Sequence, residues 1–491
     1  MRNAAPPLLP LLLDAVPSTL ETMLAQEGVP TARFQPGRSN GTFVLFDSRG
    51  SHLRGRRERP ALTSQQYAID LDVVRRELGR QGFRGDPFAE PMASGTCRAA
   101  WRVGEWEASE EIAAVDRRAV REHVLGVVRA EVARLGGVWL RVAPYPQPYR
   151  AIANFRFDHD EFVAADFQRT LEAIAGYEAM TTHFVCGATH ENHTEALRKL
   201  AGLDVGSHGY RHHTYRTAAE NRANIVRGIE SLRGCGLEPR GFAAPHGRYN
   251  SGLAAALQSL EITHSSEFGL AYDELPFFPA GSATLQLPIH PFCLGIALEA
   301  SADDDATRAR VVEAATEHFL RAAAALHEAR LPIFLYGHPD GRVGRYPKLL
   351  RRVLGAIDAL PDVWRTTMNE FQQWWRLRGR IVLEVHADGD GWLVAADGLP
   401  ARYVCAAEVH CDDGVATIPL GRARIRIERS ALTFVAREPA SLPDKRRLPA
   451  AVDVRAMIRR ALDWERVTPI DEIDTGRLTG LMKKTIRRIR G

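Results

Sequence analysis

The chain reads as an α/β protein whose middle alternates strands with helices, and three observations point to that class. Strand-like apolar runs fall at 151–157, 180–186, 203–207, 240–244, 262–267, 331–336 and 363–366. Helically spaced segments separate them at 163–176, 194–202, 218–236, 250–260, 304–329 and 346–359. Acids and histidines collect just after the strand ends. Such alternation predicts parallel strands joined by crossover helices, in an open sheet or a (β/α) barrel of somewhat fewer than eight units. Chemistry in these folds sits at the C-terminal ends of the strands.

The whole chain sets bounds on this reading. At 491 residues it is too long for one ordinary domain. Hydrophobic content of 45% and charged content of 25% suit a globular protein with adequate cores. A net charge of +4 gives no reason to expect nucleic acid as a partner. The 6 cysteines (97, 186, 235, 293, 405 and 411) include no C-x-x-C pair, which suggests reduced thiols and not a disulfide frame or zinc ribbon. The apolar run 8–13 is short, broken by Pro10 and stopped by Asp14, so no signal peptide is expected. No stretch approaches the ~20 apolar residues of a membrane span. A cytoplasmic protein is expected.

Residues 1–148 read as an N-terminal α+β domain of unknown role. Strands are expected at 42–46, 67–71 and 137–142. Val120, Val124, Val127, Val128, Val132 and Leu135 have helical spacing, closed by Gly136 and Gly137. Trp101 and Trp106 are read as core residues. The proline-rich stretch 144–149 is stiff and leads into the domain 149–377.

The first chemistry-bearing stretch is 155–161, F-R-F-D-H-D-E. An apolar strand ends there in three carboxylates and an imidazole, which are costly to hold together without a cation or a proton-transfer task. Period-two geometry puts Asp158 and Asp160 on one face and turns His159 away. The second stretch, D-V-G-S-H-G-Y-R-H-H at 204–213, spaces His208 and His212 by four. On a helical turn both imidazoles would reach one metal ion, and Asp160 would complete a two-histidine, one-carboxylate set. His213 is the second choice for the place of His212.

These residues make 149–377 resemble the polysaccharide deacetylase family, the NodB-homology or carbohydrate esterase 4 group. The motifs, in order, are F-D-H-D at 157–160, H-G-Y-R-H at 208–212, A-A-P-H-G at 243–247 followed by Tyr249 and Asn250, and L-Y-G-H at 335–338. T-H-F-V-C-G at 182–187 is similar to the family's second strand, and N-E-F-Q-Q-W-W at 369–375 to its closing helix. The resemblance implies a distorted (β/α) barrel of about seven strands. It also implies metal-dependent hydrolysis of an N- or O-acetyl group on a carbohydrate. One divalent ion, zinc by the donor set, is expected on Asp160, His208 and His212, where it would polarise the acetyl carbonyl and acidify a bound water.

In that scheme Asp158 is the base, and His338 is the acid for the leaving group, with a pKa near working pH. A backbone N–H near His246, where the family usually has Tyr, helps hold the oxyanion. Two departures from the family pattern matter. The first motif is D-x-D, so Asp160 is chosen over His159 by strand geometry. Where the third motif begins with arginine this chain has Ala243, and Arg156, on the Asp158 face of its strand, is the candidate to orient the base. His290 is expected to line the site, and Ser265, Ser266 and Glu267 are candidates for sugar contacts. His183, His190 and His193 are read as ordinary strand or loop residues.

Past 377 the pattern turns to short β runs at 381–385, 392–395, 415–420 and 423–427, read as a small β-rich accessory module over 378–437. Residues 438–491 are read as a helical basic tail. In 476–491, Leu478, Leu481, Met482, Ile486 and Ile489 lie along one side of a helix rich in Lys and Arg, which suits peripheral contact with an anionic membrane. Two other functions stand beside carbohydrate deacetylation. One is metal-dependent hydrolysis of another non-peptide C–N bond, as in a cyclic amide or ureide; the other is a catalytically silent glycan-binding role.

Overall fold

The first sheet is parallel throughout. In this computed structural model, which describes residues 8–37, 41–49, 59–90, 95–270, 273–291, 293, 298, 304–411, 414–436, 445–448 and 485, it comprises β1 (Leu11–Asp14), β2 (Thr31–Arg33), β3 (Phe43–Phe46) and β4 (Tyr67–Asp70). Parallel neighbours need crossovers, and the helix Ser18–Glu27 supplies the one from β1 to β2. Asp70 ends β4 and caps the helix Leu71–Arg80 by accepting the Asp72 N–H. An antiparallel hairpin follows, β5 (Thr96–Val103) with β6 (Trp106–Ala113). The helix Arg117–Arg134, capped by Asp116, then leads to β7 (Trp139–Val142).

The central segment is built on β8 (Ala151–His159), buried along its whole length. Strands covered on both faces read as near-continuous apolar runs, and here the polar exceptions share one face. Asn154, Arg156 and Asp158 point one way; Phe155, Phe157 and His159 point the other. Asn154 donates to Thr182 Oγ1 and Thr366 O at 3.1 and 3.0 Å. The strands after β8 are β9 (Thr181–Val185), β10 (Asp204–Ser207), β11 (His264–Ser265), β12 (Leu285–Gln286), β13 (Ile333–Gly337) and β14 (Val363–Arg365). A parallel ladder of 5 strands runs β10-β9-β8-β13, with β14 also on β8.

Beyond β10 the ladder thins. Single parallel bridges, Ser207 to Phe242 and Phe242 to Ser265, lead to the β11–β12 pair. The His290 N–H then donates to Phe334 O on β13 at 2.7 Å. The strand expected at 240–244 is thus reduced to one bridging residue. Gly241, at φ 74°, turns the backbone just before it, and a Cβ there would collide with His264. Helices cover the ladder, and their caps are those the sequence supplies: Thr217 for Ala218–Gly234, Asp304 for Asp305–Glu328 and Thr367 for Met368–Arg378.

The last strands are β15 (Val382–Asp388), β16 (Gly391–Asp397), β17 (Ala406–Cys411), β18 (Gly414–Pro419), β19 (Ile425–Glu428) and β20 (Lys445–Arg447). They do not stand apart from the N-terminal stretch. β17 pairs with β7, and β20 pairs with β5. Buried charges reinforce the first of these joints. Arg141 on β7 donates to Glu408 on β17 at 2.8 Å and also pairs with Glu27. Arg121 joins Glu27 to Asp273. A continuous apolar cluster runs from Leu9 to Ile427. No described helix is long and apolar enough to cross a membrane. The basic helix read at 476–491 lies outside the described residues, Thr485 excepted.

Candidate active site

The site begins where β8 ends. Asp158 is the next-to-last residue of the strand, and Asp160 lies one residue beyond it. Asp160 Oδ1 is 3.2 Å from His208 Nε2 and 3.2 Å from His212 Nε2. The three residues offer ligand atoms that all lie within 4.8 Å of one another. Asp160 Oδ2 is 3.4 Å from His338 Nε2. Asp160, His208, His212 and His338, chosen from the sequence, therefore converge. His246 joins them at the rim, its ring edge-on to that of His212 at 4.6 Å between centroids.

The histidine loop is not the helical turn expected. Residues 208–213 form an irregular loop, turned at Gly209 with φ 82°. Asn224, on the helix Ala218–Gly234, holds it in shape. Its Oδ1 accepts the Arg211 N–H at 2.7 Å, and its Nδ2 donates to Arg211 O at 3.0 Å and His213 O at 3.2 Å. The loop rests on Gly228, where a Cβ would meet Gly209 and Tyr210 backbone at 2.7 to 2.9 Å. His208 Nδ1 lies 2.7 Å from Ala243 O, so Nδ1 carries the proton and Nε2 is left as a lone-pair donor. His213 turns elsewhere and packs edge-on against Tyr215.

The donor set fits a divalent ion. Among the described residues Asp160 Oδ1 is buried without a well-formed hydrogen bond, and two imidazole Nε2 atoms face it. A carboxylate with two neutral imidazoles is a common zinc set. Burial would raise the Asp160 carboxyl, but the surrounding imidazoles hold it well below the usual range, so it is ionised and ready to bind a cation.

Asp158 has its own cation. Arg156 Nε donates to Asp158 Oδ1 at 2.6 Å, and Nη2 donates to Oδ2. Burial works against ionisation here too, and the Arg156 guanidinium overcomes it, keeping Asp158 below the ordinary carboxylate range. Arg156 is itself fully buried and donates through Nη1 to Ser266 O and Oγ. Ser265 and Glu267, read as sugar contacts, are likewise buried supports. Ser265 Oγ donates to Glu267, whose Oε1 also accepts the Ala244 N–H at 3.1 Å. Burial pushes Glu267 up to about 7.

His338 differs from expectation. Arg342 Nη1 lies 2.6 Å from its Nδ1, and Cys293 Sγ lies 3.1 Å from the same atom. A guanidinium only donates, so Nδ1 accepts and the imidazole proton sits on Nε2, facing Asp160. Burial and the Arg342 charge lower the His338 pKa to about 3, far from working pH. Neither Arg342 nor Cys293 was anticipated. Arg342 stands four residues after His338 and had a local signal; Cys293 had none.

The remaining histidines pack elsewhere. His159 points to the other side of β8, its Nε2 3.0 Å from His183 Nδ1. The His290 ring lies edge-on to His318 and Phe319, at 6.1 and 6.3 Å, on the helix Asp305–Glu328. A groove of about 990 Å³, lined among others by Arg129, Trp139, Trp392 and His410, includes none of the site residues.

The first three motifs fall in a stretch that a known family describes. Residues 153–265 match the polysaccharide deacetylase family model. The resemblance holds over that segment. A Mycobacterium smegmatis protein described as a polysaccharide deacetylase is 21% identical at TM-score 0.40, over 47% of this chain and 92% of that one. A Pseudomonas aeruginosa PAO1 protein described likewise is 17% identical at TM-score 0.41, over 48% and 94%. A Puue allantoinase is 17% identical at TM-score 0.38, over 48% and 93%. No curated protein matches the chain.

Proposed function

We propose that this protein is a metal-dependent hydrolase that removes an acetyl group from an acetylated carbohydrate. The polysaccharide deacetylase match over 153–265 supports the class. The observation that carries the reading is the convergence of Asp160, His208 and His212 beside the paired Asp158. Bound there, a divalent ion, zinc by its donors, would supply Lewis acidity toward an acetyl carbonyl and toward water.

The chain's own residues have the remaining tasks. Asp158, held ionised by Arg156, takes the proton of the attacking water. Its two oxygens are fixed by a two-pronged contact, so the lone pair meets water at one orientation. His338, with its proton on Nε2, hydrogen-bonds the leaving nitrogen or oxygen as a neutral donor, and the proton that Asp158 took from water passes to that leaving atom. The left-handed backbone at His246, φ 56°, carries the adjacent loop past His212, where it supports the carbonyl side.

The central segment is read as a distorted barrel. The bridges at Phe242 and the His290 to Phe334 hydrogen bond support a ring that continues past the 5-strand ladder.

Elemental analysis of the purified chain, with an acetate-release screen over acetylated glycans, tests this reading. About one divalent ion per chain and acetate release are expected. Metal-free, inactive protein that still binds glycan would sink it. Turnover of a cyclic ureide without acetate release would move the reaction to another C–N bond.

A further inference from the structure

Strand β6 carries an acid at a position where its own pattern calls for an apolar residue. Ala108, Glu110 and Ile112 share one face, because alternate strand residues point the same way. Ala108 and Ile112 are buried, and the residue opposite Glu110 on β5 is the fully buried Ala99. An acid on an otherwise apolar inner face costs stability unless something opposite it uses the charge.

What lies opposite is the mouth of the central segment. The Ala113 N–H, at the end of β6, donates to Phe268 O at 3.3 Å. Next to Phe268, the Gly269 N–H donates to Gly247 O at 2.9 Å, beside His246. The Phe268 ring packs 5.7 Å from Tyr336, and Tyr336 packs 5.9 Å from His338. Contacts therefore lead from the hairpin to both sides of the site. Burial pushes Glu110 up to about 7, with His246 and Arg342 acting the other way, and Glu110 in turn helps raise Tyr336 and Cys293. Among the described residues, its carboxylate accepts one hydrogen bond, from the Glu111 N–H at 3.1 Å. A carboxylate has about four lone-pair sites, so most of its accepting capacity is unspent.

We propose that Glu110 is a specificity-determining residue that accepts hydrogen bonds from ring hydroxyls of a sugar lying over His246 and His338, making the β5–β6 hairpin one wall of the site. Paired hydroxyls suit it because both oxygens of one carboxylate can be engaged at once. The wall comes from outside the matched segment 153–265, so the choice of sugar is set by this chain's own N-terminal stretch. The inference rests on the carbohydrate reading above.

The test uses the full chain with Glu110→Gln and Glu110→Ala. The probes are an N-acetylated chitooligosaccharide, an acetylated xylooligosaccharide and an aryl acetate that carries no sugar. Glutamine keeps the shape and the acceptor for the Glu111 N–H, so loss in that variant reports the carboxylate and not the fold. Calorimetry should show at least one oligosaccharide bound about tenfold more weakly by Glu110→Gln. The ratio of kcat/KM for that sugar acetate to kcat/KM for the aryl acetate should fall by a similar factor. Unchanged oligosaccharide affinity overturns the proposal, as does an equal loss on sugar and aryl substrates, which would mark a structural role. Binding that depends on Glu110 in a chain that releases no acetate upholds the wall and removes the deacetylase reading. A wild-type chain that releases acetate from the aryl ester but binds neither sugar overturns the wall and keeps the hydrolase.

Discussion

Arg156 and Asp158, two residues apart on β8, form a buried two-pronged ion pair whose arginine is braced from behind by Ser266. The pair orients the proposed base from within its own strand, where the resembling family uses an arginine in its third motif. Replacing Arg156 by Met should leave the metal content unchanged and lower kcat about a hundredfold, since a misplaced base costs that much. Stability should also fall by about 3 kcal/mol or more, because a buried carboxylate would lose its partner. Steady-state kinetics with elemental analysis and a thermal melt read all three.

Asp160 and Asp158 should separate by the kind of loss they produce. Asp160→Ala removes a proposed ligand, so the protein should purify without metal. Asp158→Asn should keep the metal and lose about 10²- to 10⁴-fold in kcat, the usual range for a general base. Wild-type turnover in Asp158→Asn would show that another group takes the proton.

Arg342 sets the state of His338. Its guanidinium donates to Nδ1 and, together with burial, lowers the imidazole to about 3. Taking that positive charge away with Arg342→Met removes the largest cause after burial, so the His338 pKa should rise. Nuclear magnetic resonance titration of the metal-free protein would see the imidazole protonate at higher pH than in wild type. A shift in the other direction, or none, would break the link.

Gly228 lets the helix Ala218–Gly234 lie directly under the histidine loop. A methyl group there meets the backbone of Gly209 and Tyr210, which cannot swing aside like a side chain. Gly228→Ala should push His208 and His212 out of register with Asp160 and weaken zinc binding about tenfold or more, the scale of lost ligand support. Competition with a chromophoric chelator measures it.

Glu267 makes stability depend on pH. Burial raises its folded pKa from the ordinary 4.5 to about 7. The folded state then holds a proton that the unfolded state has released, so this group's contribution is full below 4.5 and is lost as pH rises through about 7. Glu267→Gln removes that loss. Relative to wild type, its melting temperature should be higher at pH 8 than at pH 5 by comparison of the two proteins; the opposite trend would mean that Glu267 is ionised in the fold.

Much of the site was legible because its signals are local. Strand period separated Asp158 from His159, and the structure turns His159 toward His183 on the far side of β8. The spacing of His208 and His212 brought both to Asp160, although an irregular loop delivers them and a helical turn does not. His290 has no such local signal. A histidine after a strand-like run does not reveal its neighbours in sequence, and in the fold the His290 ring meets His318 and Phe319.

The sequence by itself determined the alternation of strands and helices, the acid-tipped strand end and the residues that gather as a candidate metal set. Each depends on periodicity or spacing within a few residues, which the backbone geometry of a strand or turn converts directly into a shared face. Tertiary structure alone decided the rest. Cys293 meets His338, Ser266 braces Arg156, β17 pairs with β7, and the end of β6 bonds Phe268 O through the Ala113 N–H. These relationships join residues far apart in the chain. They exist only because burying the apolar faces of separate segments against one another fixes which polar groups are left facing the same space.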